Sequence, residues 1–232
     1  MKKIVFVMMT FVFATAMFAK NHHSGIDVSA ATGFGYFNGR DADASAAKSE
    51  SKFFQPEFKI STYDCFALFH MLGIYASFGV GGNVQFSQEY ADIITSDDIS
   101  GGVALDFAIG PAFGIDLGSM RFNVGAGFHI NFTNVLIEGK DIDETFDIEN
   151  FTLENTYTYC WFGLAVAPQI RFFANRRCSF IIGCDLAFDF GCAGKLEVKT
   201  NDSKTTIRTV DFEDAFRFGC APYIGLGINF GS

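Results

Sequence analysis

The sequence predicts an all-β protein: a closed, up-and-down, eight-stranded antiparallel β-barrel that crosses a membrane. Three observations carry this. Apolar residues recur at every second position in segment after segment, which marks strands with one greasy face. Each segment holds about ten residues, the length a tilted strand needs to cross a bilayer. The connections alternate between long polar stretches and short ones, as when loops lie on one side of a membrane and turns on the other.

The segments follow in order. Ile26, Val28, Ala30, Thr32, Phe34 and Tyr36 oppose Asp27, Ser29, Ala31, Gly33 and Gly35. Phe54, Phe58, Ile60 and Thr62 oppose Glu57, Lys59 and Ser61 in the second, which shows no clear end before His70. The third runs from Ile74 to Phe86, with Tyr75, Ser77, Gly79, Gly81, Asn83 and Gln85 on its other face. The fourth sets Val103, Leu105, Phe107, Ile109 and Phe113 against Ala104, Asp106, Ala108, Gly110 and Ala112. The fifth sets Phe122, Val124, Ala126, Phe128, Ile130 and Phe132 against Arg121, Asn123, Gly125, Gly127, His129 and Asn131.

In the sixth, Cys160, Phe162, Leu164, Val166, Ile170 and Phe172 alternate with Tyr159, Trp161, Gly163, Ala165, Ala167, Gln169 and Arg171. In the seventh, Phe180, Ile182, Cys184, Leu186, Phe188 and Phe190 alternate with Gly183, Asp185, Ala187 and Asp189. The eighth is the clearest: Phe216, Phe218, Cys220, Pro222, Ile224, Leu226, Ile228 and Phe230 oppose Arg217, Gly219, Ala221, Tyr223, Gly225, Gly227 and Asn229. Pro56, Pro111, Pro168 and Pro222 fall on the apolar parity. Each removes a ladder donor, so bulges or strand ends are expected there. The expected long connections are 38–52, 87–100, 133–156 and 193–213; the short ones lie around 64–72, 114–119 and 175–177.

Volume decides which face meets lipid. An eight-stranded barrel has an interior just wide enough to be filled by side chains. Five or six Phe, Leu and Ile per strand would overfill it, whereas the Gly, Ala and Ser rows with a few large polar groups fit. The apolar rows therefore face acyl chains, and closure leaves no unsatisfied sheet edge in lipid. Phe34, Phe86, Phe132 and Phe190 at one level, and Phe113, Phe122, Phe172, Phe180 and Phe230 at the other, suit interfacial belts. A transmembrane helix over 65–88, a stretch without Asp, Glu, Lys or Arg, is the rival; Gly73, Gly79, Gly81 and Gly82 weaken it.

Residues 1–19 read as a secretory signal peptide, with Lys2 and Lys3, an uncharged run from Ile4 to Phe13, and cleavage after Ala16 or Ala19. The barrel domain is assigned to 24–232, without a further domain. A net charge of −9 argues against a nucleic-acid partner. Phe is abundant at 30 residues and Gly at 24, which suits broad rings on one face and missing side chains on the other.

Signal peptide, amphipathic strands, long loops and the closing Tyr223–Phe230 strand together resemble the small outer-membrane barrels of the OmpA transmembrane domain, OmpX and OmpW type. The resemblance implies a bacterial outer membrane, both termini in the periplasm and a terminal strand read by the barrel-assembly machinery. Tyr223, Leu226, Ile228 and Phe230 would carry that signal, although Gly231 and Ser232 follow the aromatic that is usually last.

The inward parity gathers Asp106, Arg121, His129, Arg171, Asp185, Asp189 and Arg217 into an expected lumen network, with Arg171–Asp185 and Asp189–Arg217 as cross-strand partners. The His129-Ile130-Asn131 step parallels the His-x-Ser pair of the lipid A deacylase type, but Asn supplies no acyl nucleophile. No enzyme activity, cofactor or metal site is expected. With a three-residue turn at 175–177, Cys160 falls opposite Cys192, a candidate disulfide. Acidic stretches at 133–156 and 87–100 are candidates for an extracellular ligand or divalent cations, though Asp141-Ile142-Asp143 lacks calcium-loop spacing. The reading is a barrel with a structural or surface-interaction role in outer-membrane lipid. A narrow pore for small, including hydrophobic, molecules and a lipid-modifying enzyme are the alternatives.

Overall fold

Among the described residues nine strands follow one another: β1 (Ser24–Asp41), β2 (Lys48–Ala67), β3 (Leu72–Tyr90), β4 (Ile94–Ser96), β5 (Ser100–Leu117), β6 (Met120–Gly139), β7 (Leu153–Phe172), β8 (Cys178–Thr200) and β9 (Ser203–Phe230). This computed structural model describes residues 23–41, 48–90, 94–96, 100–139, 153–200 and 203–230. The expected signal peptide lies outside them. Eight long strands pair antiparallel in chain order, and β9 pairs with β1 to close the ring. Among the described residues, the three-residue β4 pairs only with the end of β3.

The ring is sheared. A row followed from Thr62 passes through Ala76, Ile109, Phe128, Leu164, Phe188, Phe218 and Tyr36, and returns to β2 at Lys52, ten residues away. That offset tilts the strands by roughly 35–45° and leaves an interior that side chains fill. The outer face is apolar. Phe58, Phe34, Phe128, Phe132, Leu164, Ile224 and Leu226 are exposed, while Asp27, Lys59, Asn131 and Asp189 on the other parity are at most 1% exposed. The fold is thus the expected closed, eight-stranded transmembrane barrel, with its apolar rows outward.

Three expectations change, and one rival reading falls. First, the wall takes up most of the expected long loops. β8 has 23 residues and β9 has 28, paired to Thr200↔Ser203, well beyond the ten or so that lipid requires. Second, the prolines sit inside strands without bulges. Each lacks a partner on one side only: Pro56 toward β3, Pro111 toward β6, Pro168 toward β8 and Pro222 toward β1, with the register unchanged across each gap. A missing N–H therefore deletes pairing locally rather than ending a strand. Third, 65–88 is strand and turn, as the alternation predicts and the rival helix does not; among the described residues no helix is long and apolar enough to cross a membrane, which says nothing about strands.

Fourth, Cys160 and Cys192 do not pair. Both are free thiols, and Cys160 stands opposite Ala193. The β7–β8 ladder slips between Phe162 and Gly163, so that Phe162 meets Gly191 and Gly163 meets Asp189, skipping Phe190. Because the side-chain period is two, one skipped residue moves everything beyond it to the other face. Cys192 accordingly stands opposite the inward Trp161 and packs on the lumen cluster around it, while Cys160 keeps the outward parity.

Candidate functional site

The polar chemistry of the chain lies in the lumen, stacked in layers between a loop end and a turn end. Uppermost is an aromatic plug of Phe37, Phe53, Tyr159 and Trp161 with Val135 and Ala215. The Phe37 ring lies 5.2 Å from Trp161 and 5.6 Å from Tyr159. All of them come from inward positions of β1, β2, β6, β7 and β9, where bulk closes the bore.

Beneath the plug is a charged layer. Ala108, His129, Gly163, Asp189, Arg217 and Phe37 form one continuous row across six strands. Gly163 explains how His129 reaches Asp189 across an intervening strand: a Cβ at this glycine would stand 2.6 Å from Asp189 Oδ1. His129 Nδ1 lies 2.6 Å from Asp189 Oδ1 and Nε2 lies 2.8 Å from Asp106 Oδ2, an arrangement suited to an imidazolium donating to two carboxylates. Arg217 Nη1 donates to Asp189 Oδ2 at 2.8 Å, and its guanidinium stacks 4.5 Å from the Phe53 ring centroid. Asn131 donates to Asp106 at 3.2 Å, and Gln55 to Glu57 at 3.0 Å. Lys59 Nζ donates to Asp185 from the facing wall and lies 4.2 Å from the centre of the Tyr223 ring. Between these groups remains a cavity of about 30 Å³, room for a water or two.

Tyr63, Tyr75 and Tyr223 form the next floor, with Ile181 and small Ala residues filling the gaps. Tyr63 donates to the carbonyl of Ala167 at 2.8 Å, and Tyr75 to Ser77 Oγ at 2.8 Å. Glycine makes room for the rings: a Cβ on Gly125 would meet Tyr75 Cγ at 2.3 Å. Lowest is a second charged layer. Arg171 Nη2 donates to both carboxylate oxygens of Asp27 at 2.6 and 2.7 Å, and Gln169 donates to Asp27 at 2.8 Å. Arg121 donates to Asn123, Asp116 and the carbonyl of His70. Below this layer the lumen opens into a vestibule of about 240 Å³ at the turn end.

The seven polar residues singled out in the sequence all lie on the lumen side, but in two separate layers. Asp106, His129, Asp185, Asp189 and Arg217 lie in the upper layer, Arg121 and Arg171 in the lower. Asp189 does pair with Arg217. Arg171 does not pair with Asp185: it takes Asp27, and Asp185 takes Lys59. Asp27, Glu57 and Lys59 are thus network members that the candidate set omitted, although all three share the inward parity.

In the closing strand, Tyr223 points inward at 4% exposure while Leu226 and Ile228 face outward at 68% and 50%. Phe230 pairs with Ser24 and borders the vestibule. The acidic candidates of 140–152 lie outside the described residues. Among the described residues, no group of three or more His, Cys, Asp or Glu could hold a metal.

No family model matches the chain, and no curated protein matches it. Among solved structures it is similar to the crystal structure of the outer membrane protease OmpT from Escherichia coli. That likeness covers 90% of this chain and 97% of that one, at 10% identity and a TM-score of 0.36. At that distance it carries no argument; the barrel rests on the strand register described above.

Proposed function

We propose that this chain is an outer-membrane barrel of a diderm bacterium, with periplasmic termini and a structural or surface-interaction role played by its loop side. The observation that supports this best is the stacked lumen. An aromatic plug, an ion-paired layer and a tyrosine floor lie in series across the bore, and the cavity among them holds about 30 Å³. A wall so filled suits a sealed barrel, and what remains for partners is the outside.

The extended wall favours the same reading. β8 and β9 carry their ladder past the last β1 pairing at Asp41↔Phe212 up to Thr200↔Ser203. Among the described residues, 203–211 of β9 therefore has β8 on one side and no strand on the other. Such an edge accepts an extended segment of a partner through main-chain hydrogen bonds. The acidic loops beyond it would add charge selection.

Planar-bilayer recording of refolded protein tests the sealed lumen against the narrow-pore alternative. A quiet membrane at high protein load is expected, and stable, reproducible conductance steps would replace this reading with a pore. For the lipid-enzyme alternative, His129 is held in the lumen by two carboxylates rather than facing acyl chains. Replacing His129 should accordingly leave the lipid profile of the host membrane unchanged by mass spectrometry.

A further inference from the structure

The vestibule at the turn end has a lining that the sealed-barrel role does not use. Arg121 on β6 and Arg171 on β7 stand directly opposite each other in the ladder. Like charges in that relation destabilise a sheet, yet both are 4% exposed and both border the same space of about 240 Å³. The guanidiniums are built into the wall. A Cβ on Gly114 would stand 2.4 Å from Arg121 Nη2, and one on Gly25 would stand 2.8 Å from Arg171 Nη1. A side chain at either position would have to displace the fork from where it lies.

Their orientation is fixed by Asp116, Asn123 and the His70 carbonyl for Arg121 and by Asp27, Ser179 and Asn229 for Arg171; of these, Asn123 and Asn229 also line the cavity. Among the described residues, the remaining polar lining consists of Asn123, Asn175, Asn229, Ser24, Tyr63 and His23, and no Asp or Glu lines the space. Each guanidinium keeps one carboxylate partner, Asp116 or Asp27, but neither carboxylate lines the cavity; two fixed forks beside neutral polar groups suit the oxygens of an anion, which accept paired N–H groups.

We propose that this vestibule binds a small oxyanion, a carboxylate or a phosphate, entering from the aqueous space on the turn side, which is the periplasm in the orientation proposed above. Phosphate groups of lipid heads at the rim offer the same chemistry as free anions. The site is independent of any surface role, and it can be read in detergent whatever the orientation in cells.

His23 is the reporter. It borders the vestibule and lies 3.3 Å from Asp116, with His70 at 5.7 Å between rings and Arg121 and Arg171 as the facing cations. Burial, and then the Arg121 charge, lower its imidazole below the ordinary value. A bound anion would counter the two cations and raise it.

The experiment follows the assigned His23 ring signal by NMR in protein refolded in a sugar-headed detergent, titrated at constant ionic strength with inorganic phosphate and, separately, with acetate. A saturable rise of the His23 midpoint by about half a pH unit is expected. Asn175→Trp, an exposed turn position that would block the mouth, should abolish the rise while leaving the heat-dependent gel shift of the folded barrel intact. Response to phosphate, acetate or both supports the site and ranks the ligand classes. In phospholipid nanodiscs, a midpoint already raised and indifferent to added anion assigns the headgroup as the source. No response to either anion in detergent, or an undiminished response in folded Asn175→Trp, overturns the proposal.

Discussion

The two charged layers of the lumen use the same chemistry in different surroundings. In the upper one, Asp189 and Arg217 are shut between the aromatic plug and the tyrosine floor, and Asp189 is 0% exposed. In the lower one, Asp27 and Arg171 form a bidentate pair at 2.6 and 2.7 Å and Asp27 is likewise 0% exposed, but Arg171 borders the vestibule. A buried pair is costly to break because the surviving charge is stranded, and that cost shrinks where water can reach it. The upper layer is therefore a seal, and the lower layer the wall of an opening.

Removing one partner in each layer is the sharpest way to break the comparison. Arg217→Ala strands Asp189 beside His129 in a dry layer and should cost about 3–5 kcal/mol, read as a loss of urea resistance in detergent. Adding Asp189→Asn should recover a large part of it. Arg171→Ala removes the side chain that stands between Asp27 and the vestibule, so that water would enter, and should cost less, about 1–3 kcal/mol. Equal costs for the two would mean that the vestibule is as dry as the seal.

The smallest effect comes from the mouth of the vestibule. The His23 imidazole is held below its ordinary value, chiefly by burial and next by Arg121. A lowered base binds fewer protons folded than unfolded, so stability is complete above the unfolded value and falls as pH drops through it. Between pH 7.5 and 5.5 a slight loss of stability is expected, and His23→Asn should remove that part of it. No such difference between the two proteins would contradict the assigned surroundings of His23.

Sequence alternation carried the strands, their order and the outward face of the grease, because a period of two is a local property of a pleated chain. It also carried Asp189–Arg217, since neighbouring strands joined by a tight link have a register that can be counted. Arg171–Asp27 and Lys59–Asp185 were not legible for the opposite reason. β7 and β1, like β8 and β2, are separated by two intervening strands and meet only through closure and shear of the ring. The Cys160–Cys192 expectation failed on one skipped residue, Phe190, which nothing in the alternation announces. By contrast, Cys184 and Cys220, on the same side of that slip, lie with their sulfurs 3.4 Å apart. A lipid-soluble oxidant should therefore cross-link Cys184 to Cys220 and leave Cys160 and Cys192 as thiols, detectable by peptide mass mapping.

The orientation of the alternating rows can be read residue by residue along β8. Spin labels placed singly along it in a cysteine-free background, in lipid bilayers, report contact with dissolved oxygen. The account predicts high oxygen accessibility at Phe180, Ile182, Leu186 and Phe188, and low accessibility at Ile181, Gly183 and Ala187. Uniform values along the strand, or maxima at Ile181, Gly183 and Ala187, would contradict it.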